Sequence, residues 1–309
     1  MVVPTRGGAA RLPLLLRALQ NQSLSDFEIV VVVDGDIDAT ATLLARDWPE
    51  IRAVVFPENR GRASALSAGF AAAQGDILIR ADDDFVPGLD YVAAHVAAHA
   101  AGPGGAIGLA LNQYPETPYA TVYGRASEAR LRAAALSAPP DQTWRYWGGN
   151  VSVPREVYAA VGPYDTDYVR YGYEDIDWGW RLHEAGYPIA VSAALGVAHH
   201  VAATTAAIRA RRAFLSGSAR QLFETKHPAA AVAVPPVRSP WGALVAVAAW
   251  RTGERRAVAL GRLADALAPV LPRPLAHKLV ALSVEAAGRG GFQAASRAAV
   301  RRVGPAQRG

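Results

Sequence analysis

The sequence predicts an α/β fold with a mainly parallel central sheet, followed by a helical C-terminal region. Between residues 1 and 80, short β-branched segments alternate with segments whose apolar residues recur at helical spacing. This alternation is typical of a doubly wound sheet. After about residue 203 the composition changes to Ala- and Arg-rich segments that indicate helices. These observations predict one α/β domain with a helical appendage.

The first 80 residues contain the predicted strand-helix repeats. Residues 28–33 (EIVVVV) are almost continuously β-branched, as in a strand that is buried on both faces of a parallel sheet. The apolar residues of 9–21 recur at helical spacing. We predict strands at 1–4, 28–33, 51–56 and 76–80, and helices at 9–21, 38–47 and 62–74.

The remaining elements follow the same two patterns. We predict strands at 106–111, 144–153 and 187–192, and helices at 89–101, 125–137, 155–161, 175–186 and 206–226, with two or three more in 241–303. Prolines at 235, 236 and 240 interrupt the helical pattern. The predicted organisation is a catalytic domain over 1–205, a helix and Pro-rich linker over 206–240, and a basic amphipathic helical region over 241–309.

The composition excludes some kinds of chemistry. The 309 residues include no cysteine, so disulfides and thiolate metal sites are excluded and any metal must bind oxygen or nitrogen. We recognise no signal peptide and no apolar stretch near the roughly 20 residues that a transmembrane helix needs. The expected location is the cytoplasm. The first strand is short, which suggests that the native chain begins upstream of Met1.

Charge is distributed unevenly along the chain. Residues 1–200 hold 15 basic and 23 acidic residues, a balance of −8, whereas residues 201–309 hold 17 and 4, a balance of +13. The acidic part suits metal and sugar chemistry. The basic part suits an anionic surface and predicts peripheral contact with the inner face of the cell membrane. A general preference for Arg in the composition explains the basic part equally well.

Acidic residues follow two of the predicted strands. Asp34 ends the strand at 28–33, and Asp82, Asp83 and Asp84 follow the strand at 76–80. Ligands of doubly wound sheets bind beyond the carboxyl ends of the strands. We expect Asp82 and Asp84 to converge on Mg²⁺ or Mn²⁺ that carries a diphosphate, with Asp83 pointing elsewhere. Asp34 is available to a nucleobase or ribose if Asp36 or Asp38 caps the following helix, and a solvated acidic turn is the alternative at 82–84.

Further candidates follow other strands. Arg60 and Arg62 precede a helix, where guanidinium groups suit a phosphate, although a basic surface loop is equally compatible. The turn Trp147-Gly148-Gly149-Asn150 is a weaker candidate for contact with a donor sugar. His199 and His200 follow the strand at 187–192, and either imidazole is a candidate to complete the metal site of Asp84; a structural role is the alternative.

Residues 171–182 (YGYEDIDWGWRL) combine three carboxylates with aromatic side chains. Acidic residues favour a helix N-terminus, which is one explanation. With VPTR near the start, GDILIRADDD, WGGNVSVPR and the spacing of the ED pair, the chain resembles the family 2 glycosyltransferases of GT-A fold over roughly residues 1–205. The resemblance implies an inverting enzyme that uses a nucleotide-diphosphate sugar and a divalent cation.

The resemblance assigns roles to individual residues. Asp82 and Asp84 correspond to the DxD pair, with Asp84 on the metal, and Asp175 to the general base with Glu174 beside it. A histidine after the ED pair corresponds to a further metal ligand. In full, the expected nucleotide-sugar contacts are Pro4, Thr5, Arg6, Asp34, Arg62, Asp82, Asp83, Trp147, Gly149 and Asn150; the metal ligands are Asp84, Asp82, His199 and His200; the acceptor contacts are Tyr173, Trp178 and Trp180.

The expected function is transfer of a sugar to an acceptor hydroxyl in cell-surface glycan or glycoconjugate synthesis. The acceptor is a glycan, a lipid-linked molecule or a small molecule. The alternatives are a non-catalytic nucleotide-sugar-binding protein and a sugar-phosphate nucleotidyltransferase. The second alternative usually has a lysine near the phosphates, but the two lysines here, Lys226 and Lys278, lie far along the chain. A nucleic-acid partner is not expected, because no aromatic platform interleaves the basic residues.

Overall fold

The computed structural model describes residues 1–200, 203–231 and 239–303. The centre of the predicted Pro-rich linker, including Pro235 and Pro236, lies outside the described residues. The chain forms two compact units. Unit 1 comprises residues 1–113, 130–169 and 174–201, and unit 2 comprises residues 114–129, 170–173 and 202–309. The domain boundaries drawn from the sequence remain predictions.

The described strands form one mixed sheet in unit 1, in the order β3-β2-β1-β4-β7-β6-β8-β5. The four strands predicted in the first 80 residues are adjacent and parallel. β7 is antiparallel to both neighbours, and β5 is antiparallel to β8. The strands are β1 (Val2–Thr5), β2 (Val30–Asp34), β3 (Arg52–Phe56), β4 (Ile77–Arg80), β5 (Phe85–Val86), β6 (Gly105–Gln113), β7 (Val151–Pro154) and β8 (Ile189–His200).

Helices occur in both units. A π-helical turn at Ala120–Gly124 runs into α5, and short 3₁₀ helices lie at Pro140–Tyr146 and Pro228–Ala230. The α-helices are α1 (Leu12–Gln20), α2 (Thr40–Asp47), α3 (Arg62–Ala72), α4 (Tyr91–Ala97), α5 (Arg125–Leu136), α6 (Arg155–Val161), α7 (Glu174–Glu184), α8 (Ala206–Lys226), α9 (Pro240–Ala249), α10 (Glu254–Leu267) and α11 (Arg273–Val303).

The apolar patterns account for the core of unit 1. Every residue of β2 is buried, as expected for a strand covered on both faces. Helix α1 buries four of its five leucines, at helical spacing, against the sheet, and leaves Leu14 exposed. The predicted α/β fold with a helical C-terminal region is therefore confirmed.

Two segments differ from the prediction. The predicted strand at 144–153 is wrong in its first half, because Pro140–Tyr146 is a 3₁₀ helix. Local hydrogen bonds favour this turn: Thr143 Oγ1 donates to the Pro140 carbonyl at 3.0 Å, and Trp144 Nε1 donates to the Asp141 carbonyl at 2.9 Å. The strand predicted at 187–192 extends to His200, pairing in parallel with β6 across an irregularity in register between Gly108 and Ala110.

Unit 2 is helical, and its apolar residues form two clusters. One combines Tyr119 and Tyr123 with α8, α10 and α11, and the other centres on Phe214 and Leu215 of α8. Among the described residues, no helix has the length and apolar character that crossing a bilayer would demand.

Candidate active site

The site lies in unit 1, at the carboxyl ends of the parallel strands. β1, β2 and β4 run side by side in the same direction, so their ends meet at one edge of the sheet. Asp34 is the last residue of β2, and Asp82 lies two residues beyond the end of β4. Asp34 and Asp82, both predicted from the sequence to bind ligand, therefore follow the two strands that flank β1.

Arg80, the last residue of β4, joins two of the predicted carboxylates. Its side chain is fully buried. Its Nη2 donates to Asp82 Oδ1 at 3.0 Å, and its Nη1 donates to Asp175 Oδ1. One guanidinium thus holds the first aspartate of the DxD motif and the predicted base in a single charged cluster.

Asp175 lies in the first turn of α7, and its side chain is 17% exposed. Burial raises the pKa of this carboxyl to about 6, because the charge of Arg80 only partly offsets the loss of solvent. The neighbouring carboxyl of Glu174 also raises it. Asp175 is therefore protonated in mild acid and ionised at neutral pH, which suits a general base.

Glu174 is nearly inaccessible to solvent. Arg62 Nη1 donates to its Oε1 at 3.3 Å, while its Oε2 is buried without a hydrogen-bond partner among the described residues. Arg62 begins α3, and its side chain is 40% exposed. The exposed part of this guanidinium can meet a ligand phosphate while Glu174 holds the other part.

Asp82 has the opposite pKa shift from Asp175. Burial favours the protonated form, but Arg80 and Arg62 outweigh it and lower the pKa of Asp82 to about 2. Gly149 is essential to this arrangement, because a Cβ there would lie 2.6 Å from the Asp82 carboxyl carbon. The predicted Trp147–Asn150 turn therefore contributes to the site because Gly149 has no side chain and leaves room for Asp82.

Asp84 and His199 form a second pair. His199 Nε2 lies 3.1 Å from Asp84 Oδ2, and its Nδ1 lies 2.6 Å from Asn112 Oδ1. If Nδ1 donates to the amide oxygen, Nε2 presents a lone pair toward a carboxylate, an arrangement that a shared cation stabilises. Asp84 Oδ1 is buried and has no hydrogen-bond partner among the described residues. The donor set therefore fits a hard divalent cation.

The structure separates the two histidines of the HH pair. Successive residues of a strand point to opposite faces, and His199 is half-buried beside Asp84 whereas His200 is exposed. Only the backbone N–H of His200 reaches this region, donating to the Asp84 carbonyl at 2.9 Å. This geometry favours His199 over His200 as the ligand, and the choice between them stays a prediction.

The described residues contain no ready-made cluster of three or more His, Asp or Glu side chains that could enclose a metal ion. Asp84 and His199 are two potential ligands, and Asp82, which Arg80 contacts through Oδ1, is a third. A cation held by so few side chains would complete its shell with water and substrate phosphates, as Mg²⁺ usually does.

Asp83 points away from this site, as expected from the alternation of the motif. Thr5 Oγ1 donates to its Oδ2 at 2.5 Å, and Arg11 donates to both of its oxygens at 3.1 and 2.7 Å. The expectation that Asp83 contacts the nucleotide sugar is corrected: this carboxylate ties β1 and α1 to the DxD loop. The hydroxyl of Thr5 is also occupied, and the side chain of Pro4 is buried in β1. Arg6 is therefore the exposed member of the three expected nucleotide-sugar contacts at 4–6.

Asp34 is not free for a ligand. Its two oxygens accept hydrogen bonds from the backbone N–H groups of Arg60 and Gly61, at 2.6 and 2.9 Å. It fixes the loop that leads into α3 and Arg62. The premise that a neighbouring aspartate leaves Asp34 unoccupied was wrong, because the loop after β3 reaches it.

The aromatic residues around the ED pair lie mainly in the core. Trp178 is fully buried, with its ring stacked 5.7 Å from both Tyr158 and Tyr164 and 4.9 Å from Trp147. Trp147 is buried as well, and its Nε1 donates to the Tyr164 hydroxyl at 3.2 Å. Contact of Trp147 with a donor sugar and of Trp178 with an acceptor are therefore corrected to packing roles.

Two other predicted acceptor residues differ in their surroundings. Trp180 packs edge-on against Trp144, with ring centroids 4.9 Å apart, and is half-buried, so its contact with an acceptor stays a prediction. Tyr173 belongs to unit 2 and packs against Phe223 at 5.4 Å. Its φ angle of +69° is in the left-handed region, which is uncommon for a tyrosine.

Asn150 belongs to a buried polar network. Its Oδ1 accepts from the Tyr91 hydroxyl at 2.8 Å and lies 3.0 Å from His95 Nε2, and its Nδ2 donates to the Leu195 carbonyl at 2.7 Å. Burial lowers the pKa of His95 to about 4. Because both ends of the amide are occupied, the expected contact of Asn150 with the nucleotide sugar is corrected to a structural role behind the Gly149 turn.

Arg80 is the functional residue that the sequence reasoning missed. A charged side chain at the end of the apolar strand DILIR was the available signal, because a buried strand rarely carries a charge without a partner. Asp177, the third acidic residue of the ED segment, has a structural role: it accepts hydrogen bonds from Arg181 Nε at 2.9 Å and from the Tyr168 hydroxyl at 3.1 Å.

Comparison with known proteins gives the class of this fold and site. Residues 1–162 match the model of glycosyl transferase family 2, and residues 129–202 match a model described as the N-terminal domain of galactosyltransferase. Since the first match covers more than half of the 309 residues, the chain belongs to glycosyl transferase family 2. The family predicted from the motifs is confirmed.

The relatives are individually distant. Validoxylamine A glucosyltransferase of Streptomyces hygroscopicus subsp. jinggangensis is 32% identical over 223 residues, which cover 62% of this chain and 53% of the relative. An undecaprenyl-phosphate 4-deoxy-4-formamido-L-arabinose transferase of Pseudomonas aeruginosa is 38% identical over 91 residues, 27% of each chain. The chain spans about half the length of the validoxylamine enzyme.

A solved structure supports the fold. A mannosyltransferase from Pyrobaculum calidifontis, solved in complex with GDP-Man and Mn²⁺, superposes with a TM-score of 0.61 at 24% identity, covering 94% of this chain and 86% of that chain. At this identity the similarity shows the fold alone.

Proposed function

We propose that this protein is an inverting glycosyltransferase that uses a divalent cation and a nucleotide-diphosphate sugar. The observation that carries the proposal is the shared guanidinium of Arg80, which contacts both Asp82 and Asp175. A donor-binding carboxylate and a candidate base must serve the same sugar. Asp82 and Asp175 bind the same guanidinium, so they lie close enough together to serve one sugar.

In the proposed reaction, Asp175 accepts the proton of the acceptor hydroxyl. The acceptor oxygen forms a bond to the anomeric carbon while the bond from that carbon to the donor phosphate breaks, and the nucleoside diphosphate leaves. Attack on the face opposite the leaving group inverts the anomeric centre and needs no covalent enzyme intermediate. A positioned base contributes roughly 10²–10⁴-fold to such a step.

The leaving group needs positive charge. Arg62 is the exposed guanidinium beside Glu174 and lies at the first residue of α3, where backbone N–H groups also favour phosphate. Asp84 and His199, with Asp82, are the residues that would hold Mg²⁺ or Mn²⁺. A bound cation would neutralise charge that develops on the diphosphate.

The class of acceptor is proposed from the chemistry of the relatives. The named relatives act on validoxylamine A and on undecaprenyl phosphate, and the structural neighbour binds GDP-Man. We propose a small hydroxylated molecule, a glycan or a lipid-linked glycan as acceptor, in cell-surface glycan or glycoconjugate synthesis.

Peripheral membrane contact on the cytoplasmic side forms part of this proposal. Leu244, Val247 and Trp250, at or just after α9, are 47%, 73% and 68% exposed. Their spacing of three places them along one side of the helix, and Arg251 adjoins Trp250. An apolar strip with adjacent basic residues suits the interface of an anionic bilayer.

The test of the catalytic proposal is Asp175→Asn, with Glu184→Gln at the exposed end of α7 as the matched control. We expect release of nucleoside diphosphate to fall at least 100-fold in Asp175→Asn while binding of nucleoside diphosphate with Mn²⁺ persists. The measurements are product release with UDP-glucose and GDP-mannose as trial donors, and thermal shift for binding. Wild-type turnover in this variant, or equal loss of binding and turnover, would refute the base assignment.

A further inference from the structure

Unit 2 contains a cavity of about 620 Å³ that the transferase reaction does not explain. Its walls come from α8, α9, α11 and Tyr173. The volume lies within the range of small-molecule sites. All of the lining residues belong to unit 2, so the cavity is a feature of the helical region itself.

Two of the helices that line the cavity, α8 and α11, are in close contact. A Cβ on Gly217 of α8 would collide with the carbonyl oxygen of Gly288 of α11, and a Cβ on Gly291 would collide with the Phe214 carbonyl. Ser218 Oγ donates to the Gly291 carbonyl at 3.1 Å. The backbones of the two helices therefore touch beside the cavity, at glycines that leave no room for a side chain.

Positive charge in the cavity is incompletely compensated. Arg209 and Arg289 line it, are half-buried, and make no ion pair with any described residue. The third lining arginine, Arg220, is paired with Glu224 at 2.6 Å. One carboxylate, Glu285, also lines the cavity, and it accepts from Trp241 Nε1 at 2.9 Å. Besides the paired Arg220, the cavity is thus lined by two guanidinium groups, of Arg209 and Arg289, and by one carboxylate, of Glu285.

The cavity also has two aromatic rings in its walls. Gln293 lines the cavity too, but its carboxamide oxygen is buried away from solvent. Tyr173 and Phe292 supply aromatic faces, against which the apolar face of a sugar or cyclitol ring packs well.

We infer that this cavity is a binding site for a hydroxylated ring that carries an anionic group, such as a sugar phosphate. Arg209 and Arg289 bind the anion, and the two aromatic side chains cover the ring. Tyr173 is also one of the expected acceptor contacts, but Arg209, Arg289 and Phe292 lie outside the site around Arg80, so variants of the two arginines test this inference separately from the proposed transferase chemistry.

The test uses glucose 6-phosphate as probe, with glucose and inorganic phosphate as partial probes, on the full chain by isothermal titration calorimetry. We expect glucose 6-phosphate to bind at least tenfold more tightly than either part. Arg289→Gln and Arg209→Gln should each weaken its binding at least tenfold, while Arg262→Gln, an exposed arginine of α10 outside the cavity, should not.

Three results would overturn the assignment. The first is binding of glucose 6-phosphate no tighter than that of glucose, and the second is the same affinity in all three arginine variants. The third is displacement of the probe by excess UDP with Mn²⁺, which would locate the probe in the nucleotide site. Binding of UDP with Mn²⁺, measured on the same variants, reports on the proposed transferase site separately. The failure of one proposal is therefore distinguishable from the failure of the other.

Discussion

Arginines in the two units are compensated in different ways. In unit 1, the buried Arg80 is held by Asp82 and Asp175, and Arg62 by Glu174. In unit 2, Arg209 and Arg289 line a cavity without an ion-pair partner among the described residues. A balanced cluster can accept a cation together with a diphosphate, whereas an excess of positive charge favours an anion alone. The comparison shows that the partners of an arginine indicate its role better than its burial does.

The largest effect is expected from removing Arg80. Arg80→Met leaves two largely buried carboxylates without their cation, and such losses destabilise by roughly 3 kcal/mol or more. The same substitution in unit 2, Arg289→Met, removes a charge with no ion-pair partner among the described residues, so we expect no loss of stability. Urea unfolding at pH 7 measures both.

The double variant Arg80→Met/Asp175→Asn sharpens this result. Removing one of the stranded carboxylates should restore part of the lost free energy of unfolding, because the two residues form one cluster and their effects are not additive. Equal stability of Arg80→Met and Arg289→Met would show that the ion pairs in unit 1 do not stabilise the fold.

A second effect is expected at the Gly149 turn. Gly149→Ala places a Cβ 2.6 Å from the Asp82 carboxyl carbon, whereas a Cβ at Gly148 meets nothing closer than the Tyr146 carbonyl oxygen at 3.7 Å. Asp82 must move in the first variant and can stay in place in the second. We expect kcat/KM for nucleoside diphosphate release to fall about tenfold, near 1.4 kcal/mol, in Gly149→Ala and to change less than twofold in Gly148→Ala. A similar loss in both variants would assign the effect to the turn backbone.

The sequence predicted the parts of this molecule that depend on local pattern. The buried run of β2 and the four buried leucines of α1 follow from periodicity, and the structure shows both. The position of Asp82–Asp84 just beyond β4 follows from strand order, and their role as a DxD motif stays a prediction. The contacts made by Asp34, Asp83 and Asn150 could not be predicted, because their partners lie 26 to 78 residues away in the chain. Aromatic residues near Asp175 also misled the prediction, since Trp178 packs equally well in a core as on a sugar.

The third prediction concerns pH and has the smallest expected effect. Asp175 has a pKa of about 6 because burial raises it more than Arg80 and Arg62 lower it. The base is the ionised form, so the rate of sugar transfer should fall as pH decreases through about 6 and level off above it. Removing a neighbouring cation in Arg62→Gln should move this acidic limb to higher pH, since the carboxylate loses a stabilising charge. The measurement is kcat/KM between pH 5 and 8 at saturating Mn²⁺, with Arg155→Gln, which donates to the Gly75 carbonyl away from this cluster, as the control. An acidic limb that stays in place in Arg62→Gln, or one that moves equally in the control, would mean that a group other than Asp175 titrates there.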